Sequence, residues 1–267
     1  MLYEHFIEST LRAAAGVAQE KFGKVVGTIK PDDPNQVLTE ADLAIGKLII
    51  SEIEKHYPSH NIIDEEAGVV DKKSDYTWVV DPIDGTSNFA KGIPTYGIMV
   101  GLLQNSTVIA GGVALPAFDE VIYAEKGQGA FSNNKKISVT NEKNIKSTLV
   151  AYGIDGHPEK PELTRQECTI LSEVALCFLN LRSSNSVFDA VMLAKGKYAA
   201  CLNQTTKIWD NVAQQIIIEE AGGMYTDFYG KPMDYSDPLA KSKNNYTFCA
   251  APVEIHKQLQ SIIHKSV

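Results

Sequence analysis

The spacing of apolar positions near the N-terminus predicts two helices. Apolar side chains recur at helical intervals over residues 3–22, which indicates an amphipathic helix. A cluster of Pro, Asp and Asn at residues 31–35 predicts a loop, and Thr39 with Asp42 resembles a capping box that opens the second helix. That helix is expected to end near Tyr57, because the residue before a proline avoids helical geometry.

The apolar period changes in the middle of the chain, where short β-rich runs lie between Asn, Ser, Gly and Pro turns. These runs predict sequential strands at 62–63, 76–80, 96–103, 107–114, 121–124 and 137–139, with a Gly-rich hairpin at 126–131. Strands and helices then alternate, with strands at 149–152, 177–181, 198–202 and 247–251 and helices at 161–174, 186–194, 209–221 and 253–264. We therefore predict an N-terminal α+β half (residues 1–147) and a C-terminal α/β half (residues 148–267). Because no low-complexity linker separates the halves, we expect one compact unit.

Composition and charge exclude several classes of protein. With 44% hydrophobic and 22% charged residues, the 267-residue chain is typical of soluble globular proteins rather than collagen-like, disordered or coiled-coil ones. Its 33 acidic and 25 basic residues give a formal net charge of -8, so phosphate repulsion disfavours a nucleic-acid partner. The longest nearly apolar run, residues 108–118, is too short to cross a bilayer, so no membrane partner is expected. The N-terminus lacks a secretory pattern, and the widely spaced cysteines are typical of small core residues in a reducing compartment, so we expect a cytoplasmic protein.

An apolar strand ends abruptly in a run of residues that can carry chemistry. Asp81 and Asp84 lie three residues apart, where their carboxylates can converge on one or two hard cations. Gly85 permits an unusual backbone angle, and the amides that follow it can point into a phosphate-sized hollow. The alternative is a strand-terminating turn in which the two acids only cap a helix.

Two other acidic positions favour a site over a turn. Glu65 and Glu66 end another buried-looking strand, and Asp210 opens a predicted helix. Each has a simpler explanation, because surface carboxylates are solvated and an acid near a helix N-terminus is favoured by the helix dipole. Their combination predicts an oxygen-only ligand set, which suits Mg²⁺, whereas zinc would favour His or Cys. None of the six histidines falls in these motifs, so we expect them on the surface or in packing roles.

Together these motifs resemble the inositol monophosphatase superfamily of metal-dependent phosphatases, over almost the whole chain. The segment 78–89 contains the Asp-Pro-Ile-Asp-Gly-Thr core of the first signature, and Trp209-Asp210 followed by residues 220–223 resembles the second. Glu65-Glu66 resembles the family's Glu-Glu pair, and residues 38–42 resemble its Thr-x-x-Asp motif.

The resemblance implies an α+β fold, a layered α-β-α-β-α sandwich that is usually dimeric, and hydrolysis of a small phosphate monoester with two or three Mg²⁺ ions. It implies that Glu65, Asp81 and the carbonyl of Ile83 hold one metal, and that Asp81, Asp84 and Asp210 hold a second. It further implies that Thr86, supported by Asp42, orients the attacking water, that Glu66 organises the surroundings of the metals, and that the amides of Gly85, Thr86 and Ser87 cradle the phosphate. On this basis the N-terminal half carries most metal ligands, and the C-terminal half carries Asp210 and the substrate-recognition residues. Inhibition by Li⁺ is also expected.

The substrate-recognition positions depart from the family pattern. Inositol-specific members carry a Glu where this chain has Asn203, and Ser184-Asn185-Ser186 replaces the usual Gly-Ser/Thr-Ala turn. Asp64 also replaces a usual Gly. Asn185 and Asn203 are either neutral partners for substrate hydroxyls or only turn residues. We therefore expect inositol 1-phosphate or a related polyol or sugar phosphate as substrate, with histidinol phosphate, fructose 1,6-bisphosphate and a nucleotide 3'-phosphate or NADP as alternatives.

Two other classes of protein fit the sequence less well. The run Asp84-Gly85-Thr86 also resembles haloacid dehalogenase-type phosphatases, but Pro82 occupies the position of their nucleophilic Asp and Trp209-Asp210 has no counterpart there. A metal- or phosphate-binding module without activity would be favoured by loss of one of the acidic residues, all of which are present.

Overall fold

A computed structural model of the chain describes residues 2–30 and 33–266. The helices are α1 (Glu4–Lys21), α2 (Glu40–His56), α3 (Thr86–Ala90), α4 (Pro161–Cys177), α5 (Val187–Ala194), α6 (Ile208–Glu220) and α7 (Val253–Ser266). The first strands are β1 (Thr28–Lys30), β2 (Asp33–Leu38), β3 (Asn61–Asp64), β4 (Gly68–Val70), β5 (Tyr76–Asp84), β6 (Gly97–Gln104), β7 (Thr107–Leu115) and β8 (Glu120–Glu125). The remaining strands are β9 (Gly129–Ser132), β10 (Lys135–Ile137), β11 (Leu149–Gly153), β12 (Asn180–Arg182), β13 (Ala200–Thr206), β14 (Met224–Thr226) and β15 (Tyr246–Ala251).

The strands pair into two main sheets and a hairpin. Within the described residues, eight strands form a large sheet in the order β10-β9-β8-β7-β6-β5-β3-β4, and five form a small sheet in the order β12-β11-β13-β15-β14. The large sheet is antiparallel except where β3 pairs parallel to β5, and in the small sheet β11 is parallel to both of its neighbours. The hairpin consists of β1 and β2.

Helices and sheets alternate in layers. Helices α1 and α2 cover one face of the large sheet, where Leu11 and Ile45 join Trp78 in one buried cluster. Helices α5 and α6 lie between the sheets and share a second buried cluster with residues of both. Helices α4 and α7 cover the outer face of the small sheet, where Ile170 and Leu259 are fully buried. This is the predicted α-β-α-β-α sandwich, and the prediction of the fold is confirmed.

Two glycines let helix α6 approach the large sheet closely. A Cβ atom on Gly101 would lie 2.5 Å from Cγ1 of Val212, and one on Gly111 would lie 2.9 Å from Cα of Ala213. Such distances are far below van der Waals contact, so no larger residue fits without a shift of the helix. The glycines of β6 and β7 therefore fix where α6, which carries Asp210, lies on the sheet.

The predicted boundaries hold closely at the helices. The capping box is confirmed, because the Thr39 hydroxyl accepts from Ala41 N at 3.1 Å and the Asp42 carboxylate accepts from Thr39 N at 2.8 Å. Helix α2 ends at His56, next to the expected Tyr57.

Other local predictions were wrong. The strand expected at 177–181 begins only at Asn180, because α4 continues to Cys177 and Phe178 N still donates to the Val174 carbonyl at 3.3 Å. The strand expected at 137–139 lies at Lys135–Ile137, since Asn133 and Asn134 adopt the positive φ angles of a tight turn. The strand expected at 198–202 is displaced to Ala200–Thr206.

The loop expected at 31–35 falls partly outside the described residues, which exclude 31 and 32, and residues 33–35 belong to strand β2. The cysteines also differ in part from expectation, because Cys201 and Cys249 are buried but Cys168 is exposed on α4. Within the described chain, no helix combines the length and the apolar character needed to cross a bilayer.

Candidate active site

Three carboxylates converge where the large sheet meets helix α6. Asp81 and Asp84 lie at the end of β5, and Asp210 lies in the first turn of α6. Carboxylate oxygens of the three residues all lie within 4.8 Å of one another. The pairing of β5 with β6 shifts register between Asp81 and Asp84, where Pro82 cannot donate a ladder hydrogen bond. This irregularity lets two acids three positions apart reach the same place.

Two of the three carboxylates accept hydrogen bonds from backbone N–H groups, and the third is deeply buried. The Asp84 carboxylate accepts a short hydrogen bond from Val187 N, at the start of α5, and Asp210 accepts from Lys207 N at 2.5 Å. Asp81 is only 1% exposed, and its Oδ1 atom has no hydrogen-bond partner among the described residues. A buried carboxylate oxygen without a partner is costly, so this position calls for a cation.

Burial raises the pKa values of these acids. Loss of solvation is the largest cause for Asp81, Asp84 and Asp210, and repulsion from neighbouring carboxylates adds to it; the pKa of Asp84 and of Asp210 is raised to about 7. The pKa of Glu65 is raised to about 7 for the same main reason, although Lys30 acts against the shift. The cluster therefore binds protons near neutral pH unless another cation replaces them.

A short helix begins immediately beside the carboxylates. Gly85 adopts a φ angle of 81°, which favours glycine, and precedes α3. A Cβ atom on Gly85 would lie 2.9 Å from Cβ of Ser186, so the position has no room for a larger residue. Thr86 and Ser87 form the first turn of α3, whose backbone N–H groups lie at the same edge of the cleft. The free N–H groups of a first helical turn are suited to phosphate oxygens.

Thr86 connects this helix to α2. Its hydroxyl lies 2.8 Å from the Ile83 carbonyl and 3.2 Å from an oxygen of Asp42. The other oxygen of Asp42 accepts from both the hydroxyl and the backbone N–H of Thr39. Burial raises the pKa of Asp42 to about 6, although the hydrogen bonds from Thr39 act to lower it. The capping box of α2 thus holds the carboxylate that contacts the Thr86 hydroxyl.

The Glu65-Glu66 pair faces a lysine of the β1–β2 hairpin. The Lys30 ammonium lies 2.7 Å from Glu65 and 2.6 Å from Glu66, and its side chain is 17% exposed. Asp64, by contrast, does not join the three converging carboxylates. Its Oδ1 accepts from Glu66 N at 2.9 Å and from Ala67 N at 2.7 Å, closing the turn that presents the glutamates.

The C-terminal half forms the opposite wall of the cleft. The side-chain oxygen of Asn203 accepts a hydrogen bond from Thr205 N at 2.7 Å, and its NH₂ group lies beside Gly153. Asn185 adopts a positive φ of 53°, so it is a turn residue, and it also lines the cleft. Asn185 can therefore be a turn residue and a partner for substrate hydroxyls at the same time. Asn88, in α3, bridges the walls by donating to the carbonyls of Thr95 and Ser184.

The cleft has a volume of about 650 Å³. Most of the residues singled out from the sequence line it, namely Glu65, Asp81, Ile83, Asp84, Gly85, Thr86, Ser87, Asn185, Asn203 and Asp210. Asp42 and Glu66 are not among its lining residues: Asp42 contacts the lining residue Thr86, and Glu66 shares Lys30 with the lining residue Glu65.

The sequence motifs did not mark several titratable residues of the cleft. Five of them line it, namely Asp155, His157, Glu159, Asp189 and Lys207, and Lys30 contacts the lining residue Glu65. His157 is half-buried in the wall of the cleft, and its expected surface or packing role stays a prediction. No motif or periodicity marks these positions in the sequence. The nearest signal in the sequence is a charged residue just after a predicted strand, as at Asp155.

The donor set fits a hard divalent cation. Among the described residues, the group of side chains close enough to share a metal contains carboxylates alone, without a His or Cys ligand. Carboxylates and carbonyls suit Mg²⁺, and the unpartnered oxygen of Asp81 lies within this group.

Comparison with known proteins agrees with the site. The sequence model of the Inositol monophosphatase family matches residues 2–265. A protein of Aquifex aeolicus (strain VF5) named fructose-1,6-bisphosphatase/inositol-1-monophosphatase is 32% identical over 242 residues, 88% of this chain and 89% of the relative. Inositol monophosphatase 1 of Bos taurus is 30% identical over 263 residues, 95% and 92% of the two chains. The solved structure of an inositol monophosphatase from Thermotoga maritima superposes with a TM-score of 0.87 at 28% identity, over 100% of this chain and 98% of that one.

The chain belongs to the Inositol monophosphatase family. The relatives named inositol monophosphatase and fructose-1,6-bisphosphatase are phosphomonoesterases, and this protein is accordingly a phosphoric monoester hydrolase. The family is generally metal-dependent, and the acidic cluster agrees with that property. The resemblance predicted from the sequence motifs is confirmed.

Proposed function

We propose that the protein hydrolyses a small phosphate monoester with Mg²⁺, and that inositol 1-phosphate or a related polyol or sugar phosphate is its substrate. The observation that carries this proposal is the convergence of Asp81, Asp84 and Asp210 within 4.8 Å, next to the first turn of α3. Three carboxylates at this spacing repel one another, so cations between them would be strongly bound. A phosphate group brings the negative charge that such cations attract.

The metal ligands follow from the family resemblance. We propose that Glu65, Asp81 and the carbonyl of Ile83 hold one ion and that Asp81, Asp84 and Asp210 hold another, so that Asp81 bridges them. We propose two or three ions in total. When bound, Mg²⁺ would neutralise phosphate charge, lower the pKa of the attacking water and stabilise the leaving oxygen.

The protein's own groups position the reactants. In this proposal the hydroxyl oxygen of Thr86 accepts a hydrogen bond from the attacking water and orients it, and Asp42 orients the Thr86 hydroxyl from behind. The backbone N–H groups of Gly85, Thr86 and Ser87 bind phosphate oxygens and gain strength as charge develops on them. Asn185 and Asn203 bind hydroxyl groups of the substrate, and Glu66 holds Lys30 beside Glu65.

The first experiment measures phosphate release with and without Mg²⁺ from inositol 1-phosphate, fructose 1,6-bisphosphate, histidinol phosphate, 3'-phosphoadenosine 5'-phosphate and NADP. We expect Mg²⁺-dependent turnover, with preference for the inositol ester, and almost no turnover by a folded Asp84→Asn variant. Turnover of one of the other esters with similar metal dependence would keep the chemistry and change the substrate. Equal activity of Asp84→Asn and the unaltered protein would contradict the proposed metal site.

The assembly and the location of the protein stay predictions. We propose a homodimer in the cytoplasm that acts on a small phosphorylated metabolite and has neither a nucleic-acid nor a membrane partner. Light scattering after size-exclusion chromatography would test the dimer, and a single-chain mass would contradict it. Li⁺ inhibition at a metal position is expected and can be measured in the same phosphate-release assay.

A further inference from the structure

The cleft extends beyond the converging carboxylates, along the connection between β11 and α4. Asp155 and His157 of this connection line the cleft together with Asn185 and Asn203. The space exists because residue 153 is a glycine: a Cβ atom there would lie 2.6 Å from Asn203 Nδ2 and 2.7 Å from Asn185 Oδ1. A leaving group attached to a phosphate at α3 would lie against this end of the cleft.

Asp155 is held in place without being neutralised. Asn185 Nδ2 donates to Asp155 Oδ1 at 2.9 Å, and the positive φ of Asn185 sets the direction of its amide. An amide donor orients a carboxylate but leaves its negative charge intact. Among the described residues, no Lys, Arg or His forms a salt bridge with Asp155 within 4.0 Å.

The neighbouring histidine supplies no surplus positive charge. His157 Nε2 lies 3.6 Å from Oε1 of Glu167 and 3.4 Å from the Thr205 hydroxyl, and its Nδ1 lies 3.9 Å from Glu159. Glu167 is 7% exposed, and its other oxygen, Oε2, has no hydrogen-bond partner in the part of the chain that the structure describes. A buried carboxylate behind the imidazole offsets any positive charge that the imidazole acquires. This wall of the cleft is therefore neutral or negative.

The nearby lysine and arginine are also directed elsewhere. Lys207 lines the cleft, but its ammonium donates to the carbonyl of Lys243 at 3.0 Å. Arg165 lines a neighbouring groove on the exposed side of α4 and not the cleft. A second phosphate at this end of the leaving group would thus meet Asp155 and Glu159, whereas the ammonium of Lys207 is held at the Lys243 carbonyl.

We propose that Asp155 is a specificity-determining residue, which selects phosphate monoesters with a non-anionic, hydrogen-bond-donating leaving group over esters that carry a second phosphate. The inference rests on the proposed function, because it assumes that the reacting phosphate binds at α3. The Aquifex aeolicus relative is named a fructose-1,6-bisphosphatase as well as an inositol-1-monophosphatase, and fructose 1,6-bisphosphate carries a second phosphate. The proposal predicts that this chain disfavours such a substrate.

The test compares two esters of one polyol, inositol 1-phosphate and inositol 1,4-bisphosphate, by kcat/KM in the presence of Mg²⁺. We expect the unaltered enzyme to prefer the monophosphate by about ten-fold or more. Asp155→Asn keeps the size of the side chain and its contact with Asn185, and should reduce that preference by about five-fold, mainly through KM of the bisphosphate. Asp155→Lys should reduce it further, because the charge is reversed.

Asp237→Asn is the matched control, since it removes one exposed negative charge outside the cleft. Equal preference for the two esters in the unaltered enzyme, or an equal change in Asp237→Asn and Asp155→Asn, would overturn the role of Asp155 while leaving the phosphatase function in place. If neither ester is hydrolysed, the proposed substrate is wrong, and the ratio of their dissociation constants, measured by calorimetry with Mg²⁺ present, then decides the role of Asp155. Equal affinities, or no binding of either ester, would overturn it.

Discussion

Lys30 and Glu65 form a salt bridge of 2.7 Å between the β1–β2 hairpin and the end of strand β3. The Lys30 ammonium pairs with the Glu65 carboxylate, which we propose as a ligand of one metal ion. It also contacts Glu66, so two negative charges are balanced by one positive charge. A metal ion that binds Glu65 must therefore compete with a cation supplied by the protein itself.

Replacing Lys30 should tighten metal binding. In Lys30→Gln the competing ammonium is gone, and we expect the dissociation constant for Mg²⁺ to fall about five-fold, equivalent to about 1 kcal/mol. Isothermal titration calorimetry of the metal-free protein measures this directly. Lys72→Gln is the control, because Lys72 is exposed and takes part in none of these contacts. Weaker Mg²⁺ binding by Lys30→Gln than by Lys72→Gln would show that Lys30 supports the site.

The raised pKa values predict how stability depends on pH. The pKa of Asp84 and of Asp210 is raised from 3.8 to about 7 by burial, so the folded, metal-free protein holds protons that the unfolded chain has already released. The free energy of unfolding should therefore fall as the pH rises from about 4 to about 7. Mg²⁺ favours the charged carboxylates and removes this penalty.

Scanning calorimetry at pH 5, 6, 7 and 8 tests this dependence in EDTA and in Mg²⁺. We expect the increase in Tm caused by Mg²⁺ to grow with pH. In Asp84→Asn one of the titrating groups is absent, so the fall in Tm with pH in EDTA should be shallower. A Tm increase from Mg²⁺ that is equal at pH 5 and pH 8 would contradict the proposed coupling between protons and metal.

The hydroxyl of Thr86 should be needed for catalysis and not for folding. Thr86→Ala loses the contacts with Asp42 and with the Ile83 carbonyl, and we expect kcat to fall about 10²-fold, the order typical of a misplaced reactant. Thr86→Ser keeps the oxygen and should retain most of the activity. Steady-state kinetics on both variants, with circular dichroism to check folding, makes the comparison. Equal activity of the Ala and Ser variants would exclude a role for the hydroxyl.

The same substitution is expected to have opposite effects at two glycines, Gly111 under α6 and Gly16 in α1. Gly111→Ala would place a Cβ atom 2.9 Å from the backbone of α6, and we expect a loss of about 1–3 kcal/mol in the free energy of unfolding. Gly16→Ala lies in α1 with no atom within 4 Å of the new Cβ, and should gain about 0.5–1 kcal/mol from helix propensity. Urea unfolding measures both. A neutral Gly111→Ala would mean that α6 can move away from the sheet without cost.

The motif residues were the part of the cleft that could best be predicted from the sequence. Asp81, Asp84 and Asp210 stand at the ends of strongly patterned elements, and the structure brings their carboxylates together as the resemblance implied. Their roles as metal ligands stay predictions. The Thr39–Asp42 capping box was equally readable, because it depends on residues three positions apart.

The missed residues depend on long-range packing. Lys30 meets Glu65 across 35 positions, and Asp155 meets Asn185 across 30, so no local pattern connects them. The strand wrongly expected at 177–181 has a local cause: residues 174–179 form a continuous apolar run, whose pattern does not separate a helix from a strand, and in the structure α4 continues through it to Cys177.

The position of α6 has a consequence for the order in which the protein is made. Strands β6 and β7 are synthesised about a hundred residues before the helix that packs on their glycines. Until that helix leaves the ribosome, the nascent large sheet presents one uncovered apolar face, and Asp81 and Asp84 lack the third carboxylate. The cluster of carboxylates can therefore be completed only after most of the chain has been translated, so the proposed metal ions would bind late in the synthesis of the protein.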